Sequence, residues 1–165
     1  MSEILCSECG KKAKIIRGSY HFIESGLDGV VLQGIEIIRC KACGNEDPII
    51  PQVNGLMRLL AVAVICKPYR LRGDEIRFLR KFLHKTGAEL AQLLHVNKST
   101  VSKWENDDDP IGEQSERLLR IIALALGDGL KTTYKEVIDM FPRIESEAQK
   151  LAIEIDPVAM SYQYA

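Results

Sequence analysis

At 165 residues, 46% apolar and 27% charged, the chain can bury one or two compact cores, and this composition excludes a disordered polypeptide. The start, Met1–Leu5, lacks the basic and apolar regions of a secretory signal, and the longest apolar stretch, residues 59–66, is far short of the roughly 20 residues of a membrane span, so a cytoplasmic protein with no membrane partner is expected. The net charge of −1 averages over unequal parts: residues 67–106 carry 9 basic against 4 acidic side chains and residues 107–165 carry 6 against 12, leaving a local +5 segment able to attract an anionic partner.

The first feature in chain order is a pair of CxxC knuckles, Cys6-Ser7-Glu8-Cys9 and Cys40-Lys41-Ala42-Cys43, each followed by a glycine. Two residues between thiolates let both sulfurs of a tight turn face one ion, and two such turns supply the tetrahedral four-sulfur set that Zn2+ prefers. One structural zinc per chain on Cys6, Cys9, Cys40 and Cys43 is therefore expected. Disulfides are disfavoured in a reducing cytoplasm, and a redox CxxC would come singly beside a βαβ pattern. With all four ligands from the protein, no position stays open for substrate. Lys11, Lys12, Lys14 and Lys41 flank the knuckles, where they can offset the centre's negative charge.

Between the knuckles, residues 20–23, 30–32 and 35–38 read as short strands, with turns at Ser25-Gly26 and Gln33-Gly34. A zinc-ribbon-like unit of this size is too small to hold together by apolar burial alone, so zinc is expected to supply the missing stability. An apolar helix-like run, Leu56 to Cys66, follows between Pro51 and Pro68, and Cys66 reads as a buried small apolar residue. His21, His84 and His95 share no ligand spacing.

From Gly73 the period becomes helical. Ile76, Leu79 and Leu83, with Phe78 and Phe82 beside them, form an apolar stripe, and Arg77, Arg80 and Lys81 are expected to face solvent. A capping box, Thr86-Gly87-Ala88-Glu89, opens a second helix through Leu94. His95-Val96 permits only a sharp turn, and Asn97 is the expected N-cap of a third helix, Lys98 to Asn106. Helix, tight turn and helix, with small Ala91 at the crossing, is the arrangement that sends its second helix into a DNA major groove.

On that helix Val101 and Trp104 are three apart and face the core, leaving Lys98, Ser99, Thr100, Ser102 and Lys103 outward. Hydroxyls and amines of this kind contact bases and phosphates. With Asn97 and Thr86 at the two helix starts, these residues are the candidate DNA contacts. Asp107-Asp108-Asp109 reads as a solvated loop. A further helix spans Glu113 to Leu126 and stops at Gly127. Another opens at the capping box Thr133-Tyr134-Lys135-Glu136 and ends at Pro142, and residues 151–156 alternate like a strand.

The segment from Leu90 to Glu105 resembles the helix-turn-helix of XRE (Cro/repressor-type) regulators. Preceded by two CxxC pairs around an aromatic-rich segment and Val31-Leu32-Gln33-Gly34-Ile35, the chain resembles the MqsA-like, YgiT-type zinc-finger regulators over roughly residues 4 to 126. The resemblance implies a dimeric transcriptional repressor, with antitoxins against an mRNA-cleaving toxin among its relatives. It also places Ser99 and Lys103 where relatives carry a base-reading Asn and Arg. Gly87 stands where many relatives have a phosphate-contacting Gln or Arg, leaving that contact to the backbone N–H.

The expected architecture is α+β. A β-rich zinc-ribbon-like module spans 1–50, a linker helix 51–68, a helix-turn-helix domain of XRE type 69–142 and a C-terminal tail 143–165. The expected function is a sequence-specific, non-enzymatic regulator, a homodimer on double-stranded palindromic DNA, with the residue 56–66 run and the Glu113–Leu126 helix as candidate interfaces. The alternative is an antitoxin that neutralises a small partner toxin and represses its own operon. No nucleophile paired with a base and no open metal position supports an enzyme.

Overall fold

The computed structural model describes residues 3–150 and 152–165. Met1 and Ser2 of the expected start, and Leu151 of the expected tail strand, lie outside the described residues. The fold is α+β, with strand-rich ends of the chain enclosing a helical middle. The elements are β1 (Lys14–His21), β2 (Val30–Arg39), β3 (Glu46–Ile49), α1 (Val53–Ile65), α2 (Gly73–Phe82), α3 (Gly87–Leu94), α4 (Lys98–Glu105), α5 (Glu113–Leu126), α6 (Tyr134–Met140), β4 (Ile153–Asp156) and β5 (Ser161–Tyr164). No described helix is long and apolar enough to cross a membrane.

β2 is one continuous strand, although Gln33-Gly34 reads as a turn in the sequence. The correction is physical: Gly18 pairs with Ile35 but Tyr20 pairs with Leu32, so β2 carries one extra residue, and Gly34 takes φ +68°. This is a glycine β-bulge. It resets the side-chain alternation, so Val30 and Leu32 point inward before it and Ile35 and Ile37 after it. Without it, Gly34 and Glu36 would face the core instead. β1 also begins earlier than expected, at Lys14, and β3 pairs with β2 over Glu36–Arg39, where the sequence shows no alternation. The expected turn at Ser25-Gly26 is present as a 3-10 turn, Ile23–Ser25, closed by Gly26 at φ 78°.

The tail strand β4 lies parallel to β2, pairing Ile153 with Val30 and Ile155 with Leu32, and β5 pairs antiparallel with β4. The last strands of the chain therefore complete the sheet begun by its first. The Tyr164 hydroxyl donates to the Ala63 carbonyl of α1 at 2.6 Å. Residues 60–65 of α1 are buried on every side, and Leu56, Leu60 and Ile65 join β2, α2, α5 and β4 in one contiguous core. The strands between the knuckles thus share their core with the helices, and zinc is not their sole source of cohesion. Nor can the 56–66 run serve as a dimer interface, because this chain's own core uses it.

Where α1 runs into α2, a polar cluster is buried. The fully buried Arg120 of α5 donates to the carbonyls of Ile65, Lys67 and Tyr69 and to the Glu116 carboxylate, at 2.7 to 2.8 Å. Glu116 also accepts from Arg70 Nε at 2.5 Å and from the Leu71 N–H at 3.2 Å. Lys67 donates to both Glu75 oxygens at 2.8 Å. Burial pushes the Glu75 carboxyl above its ordinary range, and Lys67 only partly offsets this. A chain reversal that would strand three carbonyls in the core is satisfied by one guanidinium.

Candidate metal centre and nucleic-acid interface

The two knuckles are built alike. In each, the glycine N–H donates to the first cysteine's carbonyl (Gly10 to Cys6 at 3.0 Å, Gly44 to Cys40 at 2.9 Å). In each, the first cysteine N–H reaches the residue five positions on, Lys11 at 2.8 Å and Asn45 at 2.9 Å. Gly10 and Gly44 hold φ of 69° and 77°, where a side chain would be strained. β1 and β2 carry these loops to the same end of the sheet.

All four sulfurs lie within 4.8 Å of one another, with Cys6–Cys43 at 3.5 Å and Cys9–Cys40 at 3.6 Å. Four sulfurs about 2.3 Å from a central ion in a tetrahedron are separated by about 3.8 Å, so the cluster fits one tetrahedral ion. Cys6 and Cys40 are buried while Cys9 and Cys43 reach solvent. The Cys43 and Ala42 amides hold the Cys40 thiol down to about 6, and the Cys9 and Glu8 amides lower Cys6 against the opposing effect of burial. For Cys43 the Asn45 amide is outweighed by its sulfur neighbours Cys9 and Cys6, which push it up to about 12. A cation relieves that crowding by letting all four ionise.

A side-chain tie absent from the sequence reading joins the knuckles. Asn45 Nδ2 donates to Asp47 at 2.9 Å and to Ser7 Oγ at 3.3 Å, and lies 4.0 Å from Cys6 Sγ. Ser7 in turn donates to Asp47 at 2.6 Å. Partners 38 to 40 residues apart leave no local sequence signal. Cys66 lies outside the metal cluster, half-buried beside Thr132 Oγ1 at 3.8 Å, and burial pushes its thiol up.

The second site lies on α3 and α4. The Thr86 hydroxyl accepts from the Glu89 N–H at 3.2 Å while the Glu89 carboxylate accepts from the Thr86 N–H at 2.7 Å, so the capping box forms. His95 takes φ 54° at the helix end, Ala91 is buried at the crossing, and α4 leaves at the angle this turn allows. Val101 and Trp104 point into the core as expected. Lys98, Ser99, Ser102 and Lys103 are exposed, whereas Thr100 is half-buried. Asn97 occupies the N-cap position, but its side chain makes no capping bond, which leaves first-turn amides of α4 open to an outside acceptor.

Two expectations need correcting here. Arg80 is not solvated: it grips the Glu105 carboxylate at 2.5 and 3.0 Å. Arg77 donates at 2.9 Å to both the Glu105 carbonyl and Asn106 Oδ1. The acidic run is an exposed loop as expected, tied at its ends where Asp107 accepts from the Gly73 N–H at 2.7 Å and Asp109 lies 3.3 Å from Lys103 Nζ. α2 therefore clamps the C-terminal end of α4. Gly73 fits there because a Cβ would lie 2.6 Å from the Trp104 carbonyl oxygen.

The +5 segment follows the same logic. Of its nine cations, Lys67, Arg70, Arg72, Arg77, Arg80 and Lys103 are in ion pairs, leaving Lys81, Lys85 and Lys98 outside any among the described residues. Much of the basic excess holds the domain together instead of facing a partner.

Residues 76–127, from α2 to the end of α5, match the Helix-turn-helix family of DNA-binding regulators. No curated protein and no solved structure matches the chain. A helix-turn-helix of DNA-binding regulators, joined to a four-cysteine cluster able to hold a metal ion, is what the geometry and the family match establish together.

Proposed function

We propose that the protein is a sequence-specific transcriptional repressor of the MqsA-like, YgiT-type kind, holding one structural zinc on Cys6, Cys9, Cys40 and Cys43. It reads a palindromic operator as a homodimer. The observation that carries this reading is the exposed face of α4, whose inner residues Val101 and Trp104 are buried and whose C-terminal end is clamped to α2. Ser99 and Lys103 lie one turn apart on that face, suited to the groove floor. Lys98 and the open amides of the first turn suit a phosphate, and Thr86, Asn97, Thr100 and Ser102 line the approach.

Two-fold pairing doubles the few base pairs one such unit reads. α5 remains the candidate interface, since Leu118 and Leu126 stay exposed while Leu119 and Ala123 are buried. Selection from a random duplex pool, followed by light scattering of the complex, tests the reading. A palindromic consensus bound by two chains supports it, and a monomer bound to an asymmetric site contradicts it.

The antitoxin reading is favoured by one observation, the exposure of Leu5, Ile15, Ile23 and Ile49 around the zinc-bearing sheet, apolar surface that a protein partner could cover. Co-purification with the product of the adjacent reading frame tests it.

A further inference from the structure

We propose that Asp109 is a positioning residue for Lys103. Its carboxylate holds the ammonium along the exposed face of α4, toward base edges and away from phosphates, and so sets how sharply the protein tells one duplex from another. The inference rests on the repressor reading and deepens it, naming the group that tunes the specificity of that same face. Asp109 Oδ2 lies 3.3 Å from Lys103 Nζ, with both side chains more than half exposed.

The backbone puts the carboxylate there. α4 ends in a Schellman turn, in which the Asp108 N–H donates to the Lys103 carbonyl at 2.9 Å and the Asp107 N–H to the Trp104 carbonyl at 3.2 Å. The left-handed position of such a turn is usually glycine; here it is Asp107 at φ 57°, whose carboxylate accepts from the Gly73 N–H at 2.7 Å. On the other side Pro110 restricts the backbone of Asp109, and Ile111 is buried in the core. The acid is therefore held beside Lys103 from both directions along the chain.

Stability does not account for it. An acid at the C-terminal end of a helix meets the negative end of the dipole, and an exposed ion pair adds little. Asp107 has its anchor in Gly73, whereas the cation that Asp109 meets is Lys103. Lysine carries a point charge on a flexible stem, and a duplex surrounds it with phosphates. A fixed carboxylate attracts the ammonium and repels phosphate oxygens. Of the three ammonium N–H donors, one on Asp109 leaves two for the groove, where guanine presents two acceptors, O6 and N7. Discrimination then draws on a repulsive element as well as an attractive one.

The test measures the zinc-loaded full chain on the selected duplex and a scrambled duplex across a salt series. Asp109→Asn should tighten binding to the scrambled duplex, steepen its salt slope by about one ion, and lower the selected-to-scrambled affinity ratio at least about twofold. Asp108→Asn, which removes the same charge from the exposed neighbouring residue, should shift both duplexes alike and keep the ratio. In a Lys103→Met background, Asp109→Asn should no longer change the ratio, because its effect passes through Lys103. A ratio that holds within about twofold in Asp109→Asn overturns the inference, as does an equal fall in Asp108→Asn or a fall that persists without Lys103. Each of these results leaves the selected duplex, and with it the repressor reading, in place. Failure to select any duplex overturns both.

Discussion

The cysteine knuckles and the α1–α2 reversal are held together by opposite means. At the knuckles almost nothing apolar is available: Cys9 and Cys43 are exposed, and the turns consist of Ser, Glu, Lys, Ala and Gly. Beyond the Asn45–Ser7–Asp47 tie, cohesion there can come from a metal ion that the four cysteines are placed to hold. At the α1–α2 reversal, cohesion is equally polar but self-contained, with Arg120, Glu116, Lys67 and Glu75 satisfying one another and the backbone inside the core. On the zinc proposal, the knuckles respond to metal supply and the α1–α2 cluster does not. The sheet tolerates this division because β2 and β4 anchor it to the common core independently of the knuckles.

The largest effect should come from the metal. Structural zinc binds small modules with on the order of 10 to 16 kcal/mol. Cys40→Ser should abolish stoichiometric zinc and expose the amides of residues 5–13 and 40–46 to hydrogen exchange, while α2 to α5 keep their protection. Global loss of helical signal in that variant would break the comparison, since it would make the helical core metal-dependent.

Next comes the self-contained cluster. Arg120→Met leaves Glu116 and three backbone carbonyls short of their donor, and uncompensated burial of this kind costs about 3 to 5 kcal/mol. Urea unfolding of the zinc-loaded variant measures it, and the zinc content should stay at one per chain. A loss below about 1 kcal/mol would mean the cluster is dispensable.

Gly73→Ala should do less. Its methyl would meet the Trp104 carbonyl oxygen at 2.6 Å, and overpacking of this sort costs about 1 to 3 kcal/mol. A shift in emission of the single tryptophan, Trp104, should accompany the loss, because the strain falls on α4.

The smallest effect should come from the exposed capping boxes. The Thr86 amide and hydroxyl hold Glu89 below its ordinary range, and those of Thr133 do the same for Glu136. A carboxyl lowered on folding stabilises the folded state above its unfolded value of 4.5, and the contribution is lost as pH falls below that. The first turns of α3 and α6 should therefore fray on acidification, visible in their amide shifts, and Glu89→Gln should remove the pH dependence at α3.

How much of this was legible follows from the range of the interactions. The capping boxes, α5 from Glu113 to Leu126, the turn at His95 and the inward Val101 and Trp104 rest on neighbours within a turn or two, and the sequence displays them. The cysteine set was legible because its spacing is chemical. The bulge at Gly34 looked like a turn, since glycine at positive φ serves both and only the partner strand distinguishes them. Arg77 and Arg80 looked solvated because their partners lie 25 to 28 residues away. The tail reads as a strand, but its parallel pairing with β2 depends on where the whole core brings it.

The central claim is that α4 reads DNA through the face bearing Ser99 and Lys103. It is tested most directly by measuring Lys103→Ala and Lys98→Ala on the selected duplex and a scrambled duplex across a salt series. The account predicts that Lys103→Ala loses about 1 to 3 kcal/mol on the selected duplex and much less on the scrambled one. Lys98→Ala should weaken both alike and reduce the salt slope by about one ion. Equal losses on both duplexes for Lys103→Ala would contradict the account, reducing Lys103 to a phosphate contact and moving base reading off this face of α4.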